Sequence, residues 1–67
     1  MYILIEMQTN GTQTAIVPAV TYADRNQAES AYYTALAAAA VSSVPVHAVL
    51  LIDDHGNIIK HDYYEHL

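Results

Sequence analysis

The chain lacks cysteine, tryptophan and phenylalanine, and it holds only two glycines, two prolines and two permanently cationic side chains among its 67 residues. Without cysteine there is no disulfide framework, no thiolate metal site and no cysteine nucleophile. Gly11 and Gly56 stand alone, so the chain has no glycine-rich loop of the kind that cradles phosphates.

Positive charge is equally scarce, since Arg25 and Lys60 oppose seven carboxylates and the net charge is −5. Nucleic-acid binding and attraction to anionic membrane surfaces both need clustered cations, so neither partner is expected. The longest apolar run, residues 46–52, is interrupted by His47 and is too short to span a bilayer. Met1 leads directly into strand-like sequence without a basic segment, so no secretory signal peptide is expected.

What the chain does have is alanine, concentrated in residues 24–43, DRNQAESAYYTALAAAAVSS. Asp24 is a favourable N-cap, the interior contains no glycine or proline, and Pro45 disfavours helical geometry just beyond the end. The segment therefore predicts one long helix. Its spacing places six small or apolar side chains on a single face: Ala28, Ala31, Tyr32, Ala35, Leu36 and Ala39.

Two strand-like runs precede this helix. Residues 2–8 alternate between two faces, and Asn10-Gly11 is typical of a two-residue hairpin loop. Residues 12–17 then form the return strand, with Met7 facing Thr14. Pro18 cannot donate to a ladder, so this second strand lies at a sheet edge or ends there.

Two more strands follow the helix. Residues 44–53 are apolar on both alternating faces, which is typical of a central strand covered on both sides. Residues 54–56 predict a three-residue turn with Gly56 in the left-handed conformation. Residues 57–66 form the last strand, and this loop places Val49 opposite His61 and Leu51 opposite Ile59.

The fold class is therefore α+β: a single ββαββ domain over residues 1–67, with a four-stranded antiparallel sheet and one helix on one face. Placing the first strand beside the third makes every pairing antiparallel and gives the order 2-1-3-4. The alternative order, 2-1-4-3, requires a parallel pair.

One helix covers one face only, and either face would leave an apolar patch larger than a soluble monomer usually shows. We therefore expect a homodimer joined through the uncovered face; the alternative is a monomer shielded by its tyrosines. The predicted interface consists of Tyr2, Leu4, His47, Val49, Leu51, Ile59 and Tyr63. The opposite set consists of Ile3, Ile5, Leu50, Ile52, Ile58 and Tyr64.

Residues suited to chemistry are few. His47 and His61 fall on adjacent predicted strands and are the metal candidates, with Asp62 or Glu65 as a further ligand. This gives an alternative function, a histidine-based metal or small-ligand binder. The serines and threonines lie in no nucleophile motif, and Asp53 and Asp54 point to opposite faces as strand neighbours. We expect no enzymatic activity and no cofactor.

Three segments carry a resemblance: the helix start DRNQAES, the transition AAAAVSSVPVHAV and the tail DYYEH. With the opening YILIEMQTNG, they make the chain similar to a family of short uncharacterised proteins encoded by phages and prophages of Firmicutes and other gut bacteria. The resemblance implies a phage-derived accessory or virion-associated protein made in the bacterial cytoplasm. It assigns no functional residues. The apolar sheet, the acidic surface and the lack of a catalytic site favour a protein partner, another phage or host protein.

Overall fold

A computed structural model describes residues 1–66 of the chain and has the element order β1 (Tyr2–Asn10), β2 (Gln13–Tyr22), α1 (Arg25–Ala40), β3 (Val46–Asp53) and β4 (Ile58–Glu65). All strand pairs are antiparallel, and the sheet order is β2-β1-β3-β4. The predicted α+β fold and strand order are confirmed. No helix within residues 1–66 combines the length and apolar character needed to cross a membrane.

The helix begins and ends through side-chain and backbone caps. The carboxylate of Asp24 accepts a hydrogen bond of 3.1 Å from the Gln27 amide, as expected of an N-cap. At the other end the Val41 amide donates to the Ala38 carbonyl and the Ser42 amide donates to the Ala39 carbonyl, both at 3.3 Å. The Ser42 hydroxyl accepts from the Val44 amide, which turns the chain toward β3. The helix therefore stops three residues before the end of the predicted segment.

The core lies between α1 and one face of the sheet. Ala28 and Ala39 are fully buried and Tyr32 is 3% exposed, so the predicted alanine-lined face is the packing face. Small side chains let the helix backbone approach the sheet closely, and the larger strand side chains Leu4, Val49 and Leu51 fill the interface.

Three features of strand pairing differ from the prediction. The first hairpin turns at Gly11 and Thr12, with Asn10 opposite Gln13, so its loop begins one residue later than predicted. Gly11 has a φ of 66°, which favours glycine there. As a result Met7 faces Ile16 rather than Thr14.

The second strand also continues through Pro18 to Tyr22, with a bulge where it passes Leu4 and Glu6. A bulge adds one unpaired residue to a strand, so a proline can be accommodated there. The predicted edge position of this strand is confirmed, and the predicted end at Pro18 is wrong.

The second hairpin has the predicted turn but a different register. Gly56 has a φ of 83°, which confirms its left-handed conformation. A bulge between Leu51 and Ile52 shifts the pairing, so Val49 lies opposite Asp62 and Leu51 opposite Lys60. The predicted pairs with His61 and Ile59 are therefore wrong by one residue.

Candidate interaction surface

The face of the sheet away from α1 is a continuous aliphatic surface. Residues directly opposite each other in adjacent strands share a face, so the register defines its rows. Nine apolar residues from all four strands form it, and we call this set the open face: Ile3, Ile5, Met7, Ile16, Val46, Ala48, Leu50, Ile52 and Ile58. Tyr63 and His61 extend it along β4, and Thr9, Thr14, Thr21 and Glu65 lie at its margins.

The open face is more uniformly apolar than the face that the helix covers. Beneath and beside α1 the sheet carries Glu6, Gln8, His47, Lys60 and Asp62 among its apolar residues. The open face carries one carboxylate, that of Glu65, and no lysine or arginine among the residues that the structure describes. Ile16 and Ile58 are each 65% exposed on it. An apolar surface of this extent marks an interaction site in a soluble protein.

Six of the seven predicted interface residues do not lie on this surface. Leu4, Val49 and Leu51 are buried in the core, Tyr2 and Ile59 pack against that core, and His47 is buried on the same side. The prediction is wrong for these six because the helix covers the face they occupy. Tyr63 lies on the open face and is 50% exposed.

The alternative set is the one that remains uncovered, with one exception. Ile3, Ile5, Leu50, Ile52 and Ile58 lie on the open face. Tyr64 lies opposite His47 on the helix side. Met7, Ile16, Val46 and Ala48 belong to the open face as well and are absent from both predicted sets. The alternation of residues 2–8 is the signal that points to Met7.

The two metal candidates lie on opposite faces of the sheet. His47 is opposite Gln8 and Tyr64 on the helix side, whereas His61 is opposite Leu50 on the open face. One ion cannot bind both side chains through the sheet, so this pairing is wrong. The one-residue shift in the second hairpin is the physical cause, because successive strand residues point to opposite faces.

His47 has a different neighbour, Glu6. Its Nε2 lies 3.4 Å from Glu6 Oε1, but the geometry is not that of a hydrogen bond, and neither ring nitrogen has another partner. The side chain is 5% exposed. Two ligands fall short of the roughly three or four that a zinc site needs. This contact therefore belongs to the packing of the helix side.

Asp53, Asp54 and His55 place three possible ligand atoms within 4.8 Å of one another in the second hairpin loop. The Asp53 carboxylate is already engaged, since it accepts from the amides of His55 and Asn57 and from the Asn57 side chain at 2.8–3.0 Å. These bonds, with those to Asn57 foremost, lower the pKa of Asp53. The Asp53 carboxylate therefore holds the turn together.

Asp53 gives the hairpin a pH dependence of known sign. A carboxyl whose pKa is lower in the folded state stabilises the fold above its unfolded value of about 3.9, and this contribution is lost as pH falls through the lower folded pKa. Asp53→Ala is therefore expected to lower the melting temperature at pH 6, and the difference from wild type should shrink below pH 3. Melting curves from pH 2 to 7 measure it. Asp54→Ala, which leaves these bonds intact, is the control; an equal effect of both variants would contradict the assignment.

A shallow groove lies on the helix side of the sheet. It has a volume of about 460 Å³ and is lined by Gln8, Asn10, Gln13, Thr14, Ala15 and Val44. The lining is neutral, and most of these residues are exposed. The groove brings together no acid, base or nucleophile.

Charged and aromatic side chains tie β4 to the helix on the covered side. Lys60 Nζ lies 3.6 Å from Glu29 Oε1 and 5.3 Å from the centre of the Tyr33 ring. Tyr33 chiefly, and Glu29 in addition, raise the pKa of Lys60. Burial, and next the Asp62 carboxylate, raise the pKa of Tyr32. Both shifts have structural causes, and neither group faces an open cavity.

Comparisons with protein-family models, with curated proteins and with solved structures found no match to this chain. The resemblance to phage-encoded proteins therefore stays a prediction. The open face is the structural feature that best indicates a function.

Proposed function

We propose that the protein is a non-enzymatic protein-interaction module that works as a homodimer joined through the open face. The observation that supports this is the uninterrupted aliphatic surface on the side of the sheet that α1 leaves uncovered. Burying such a surface against a second copy removes apolar area from water, which is the main driving force of association.

The size of the face fits a dimer. Four strands about 4.8 Å apart, each about eight residues long at about 3.3 Å per residue, present about 500 Å² in outline. Two copies would bury about 1,000 Å², and more when side-chain relief is counted, which reaches the range of specific interfaces. Sheets packed face to face in this way form the core of β-sandwich proteins.

Charge also favours a second copy on this face. The chain as a whole is acidic, with a net charge of −5. Its carboxylates lie on the helix side, in loops or at the end of β4, so two open faces can meet with only Glu65 near the contact. An apolar face without cations is also a poor site for an acidic ligand.

The exposed edge strand β2 is a poor alternative to the open face as a site of association. Asn10 and Gln13 flank a two-residue loop, so their backbone groups pair with each other. Backbone groups alternate in direction along a strand, and this alternation places Pro18 among the residues that face outward. Proline has no amide hydrogen to donate, and the neighbouring bulge twists this edge, so β2 is a poor template for another strand.

The other edge, β4, is blocked by a side chain. The His66 amide bonds inward to the Pro45 carbonyl at 2.7 Å, so alternation points the Tyr63 amide outward. The Asp62 carboxylate accepts from this outward amide at 2.8 Å. A strand adding to this edge would have to displace that bond. Association through the face is therefore favoured over association through either edge.

The phage resemblance supplies the proposed setting. A phage-derived accessory or virion-associated protein, made in the host cytoplasm, would use the dimer to engage another phage or host protein. In a face-to-face dimer both helices lie on the outside, so their solvent-exposed sides remain accessible to such a partner.

Sedimentation equilibrium at pH 8, from about 1 to about 100 µM, tests the dimer. We expect a concentration-dependent shift from the 7.4 kDa chain to a species of twice that mass. A single 7.4 kDa species at every concentration would overturn the proposal.

Asp62→Ala is the variant that separates face from edge. It frees the outward amide of β4 without changing the open face. We expect the same dissociation constant as wild type. A tighter dimer, or larger species, would show that copies associate through the β4 edge instead.

A further inference from the structure

We propose that acid opens this dimer, because protonation of His61 places a charge inside the interface. The inference deepens the proposed function and depends on it. It starts from the position of one titratable side chain within an otherwise aliphatic surface.

His61 lies on the open face, near the middle of the edge strand β4. It is opposite Leu50 on β3, and Leu50 is opposite Ile5 on β1. Its ring stacks on that of Tyr63, with centroids 6.2 Å apart and planes 28° from parallel. A second copy that covers Leu50 and Tyr63 therefore also covers His61 and removes its access to water.

No acidic side chain of the same chain can compensate a charge there. On this face β1, β2 and β3 contribute aliphatic residues and threonines among the residues that the structure describes. On β4 itself the facing titratable groups are Tyr63 and Glu65. Glu65 is four residues away, which is about 13 Å along a strand.

The partner does not supply an acid either. A two-fold axis between aligned sheets runs either along the strands or across them. The first arrangement places β4 over the partner's β2, where the open face presents Ile16 and threonines. The second places β4 over its own copy, so His61, near the middle of the strand, meets another histidine and Glu65 meets the opposite end of the strand.

In both arrangements the interface accepts neutral histidine and opposes the imidazolium ion. Burying an unpaired charge costs far more than burying the neutral ring. An ordinary histidine titrates near pH 6.5. About one pH unit below that value only about a tenth of such side chains are neutral. A dimer that needs one neutral histidine then has a dissociation constant about tenfold higher, and a dimer that needs one from each copy has a dissociation constant about 100-fold higher.

The other histidines occupy different positions. His47 is buried on the helix side near Glu6, His55 lies exposed in the hairpin loop, and the His66 ring contacts the Ala39 carbonyl at the end of α1. None of them lies on the open face. These three side chains therefore lie outside the proposed contact between copies.

Sedimentation equilibrium at pH 8 and pH 5.5 on wild type, His61→Gln and His55→Gln tests the inference, with circular dichroism of each sample to follow the fold. We expect the dissociation constant of wild type and of His55→Gln to rise about 100-fold at pH 5.5. That of His61→Gln should change less than about threefold, because glutamine carries no titrating group.

Each other outcome overturns the inference. A wild-type dimer that is equally tight at both pH values refutes the acid response and leaves the dimer in place. Equal weakening of wild type and His61→Gln, with or without loss of helical signal, assigns the response to another group. A monomer at pH 8 refutes the proposed function and this inference with it.

Discussion

Leu50→Glu is expected to yield a folded monomer. Leu50 lies in the middle of the open face, opposite Ile5 on one side and His61 on the other. A carboxylate there would lose its contact with water in the dimer, with the His61 ring as its cross-strand neighbour, but it would be solvated in the free chain. Because both copies carry the change, we expect the dissociation constant to rise by at least about 100-fold.

The measurement is sedimentation equilibrium at pH 8, with circular dichroism to show that the fold is retained. Ala37→Glu is the matched control, since it adds the same charge at an exposed position of α1. It should leave the dissociation constant within about twofold of wild type. A Leu50→Glu protein that remains dimeric would exclude the open face as the contact.

Leu51→Ala is expected to have the opposite consequence, loss of the fold rather than of the dimer. Leu51 is fully buried between the sheet and α1. Removing a buried leucine side chain costs about 2–5 kcal/mol, and a domain of this size has little more than that to lose. We expect the melting temperature to fall by at least about 10 °C.

Thermal unfolding followed by circular dichroism measures this change, at a concentration where wild type is monomeric. Leu50→Ala is the control, because it removes the same atoms one residue away on the open face. In the monomer it should cost less than about 1 kcal/mol. Equal losses from the two variants would contradict the assignment of their faces.

The architecture could be predicted because several local signals agree with the fold. Alanine content and an N-cap at Asp24 define the helix, and two turn glycines separate the paired strands. Strand directions then favour the observed order, since β1 beside β3 keeps every pair antiparallel. These signals depend on composition and spacing, which a one-residue error leaves unchanged.

The choice of face could not be predicted because it depends on single residues. Asn10 pairs with Gln13 instead of entering the loop, and a bulge beyond Leu51 shifts β4. Side chains alternate with a period of two, so the one-residue shift of β4 exchanges its two faces. The shift of the first hairpin changes the partner of Met7 by two residues, from Thr14 to Ile16, and leaves its face unchanged. Both sets of alternating residues are apolar, and hydrophobicity therefore does not choose between them. The errors at His61 and Ile59 have the same origin.

Some structural details have no sequence signal of comparable strength. The contact between His47 and Glu6 depends on the register in which β1 pairs with β3. Nothing in the sequence around Glu6 indicates that register. The bulge that accommodates Pro18 within β2 is likewise not indicated by the sequence, because a proline on its own predicts the end of a strand.

Pro18 on β2, and the bond from the Tyr63 amide to the Asp62 carboxylate on β4, also limit how many copies can associate through the sheet edges. A small sheet with one apolar face and two unprotected edge strands is prone to form a fibre, in which copies add to each other edge to edge. Here both edge strands resist pairing with a further strand. In the proposed dimer a two-fold contact buries the open face of each copy against that of the other. The proposed dimer is therefore closed, and growth beyond two copies is not expected.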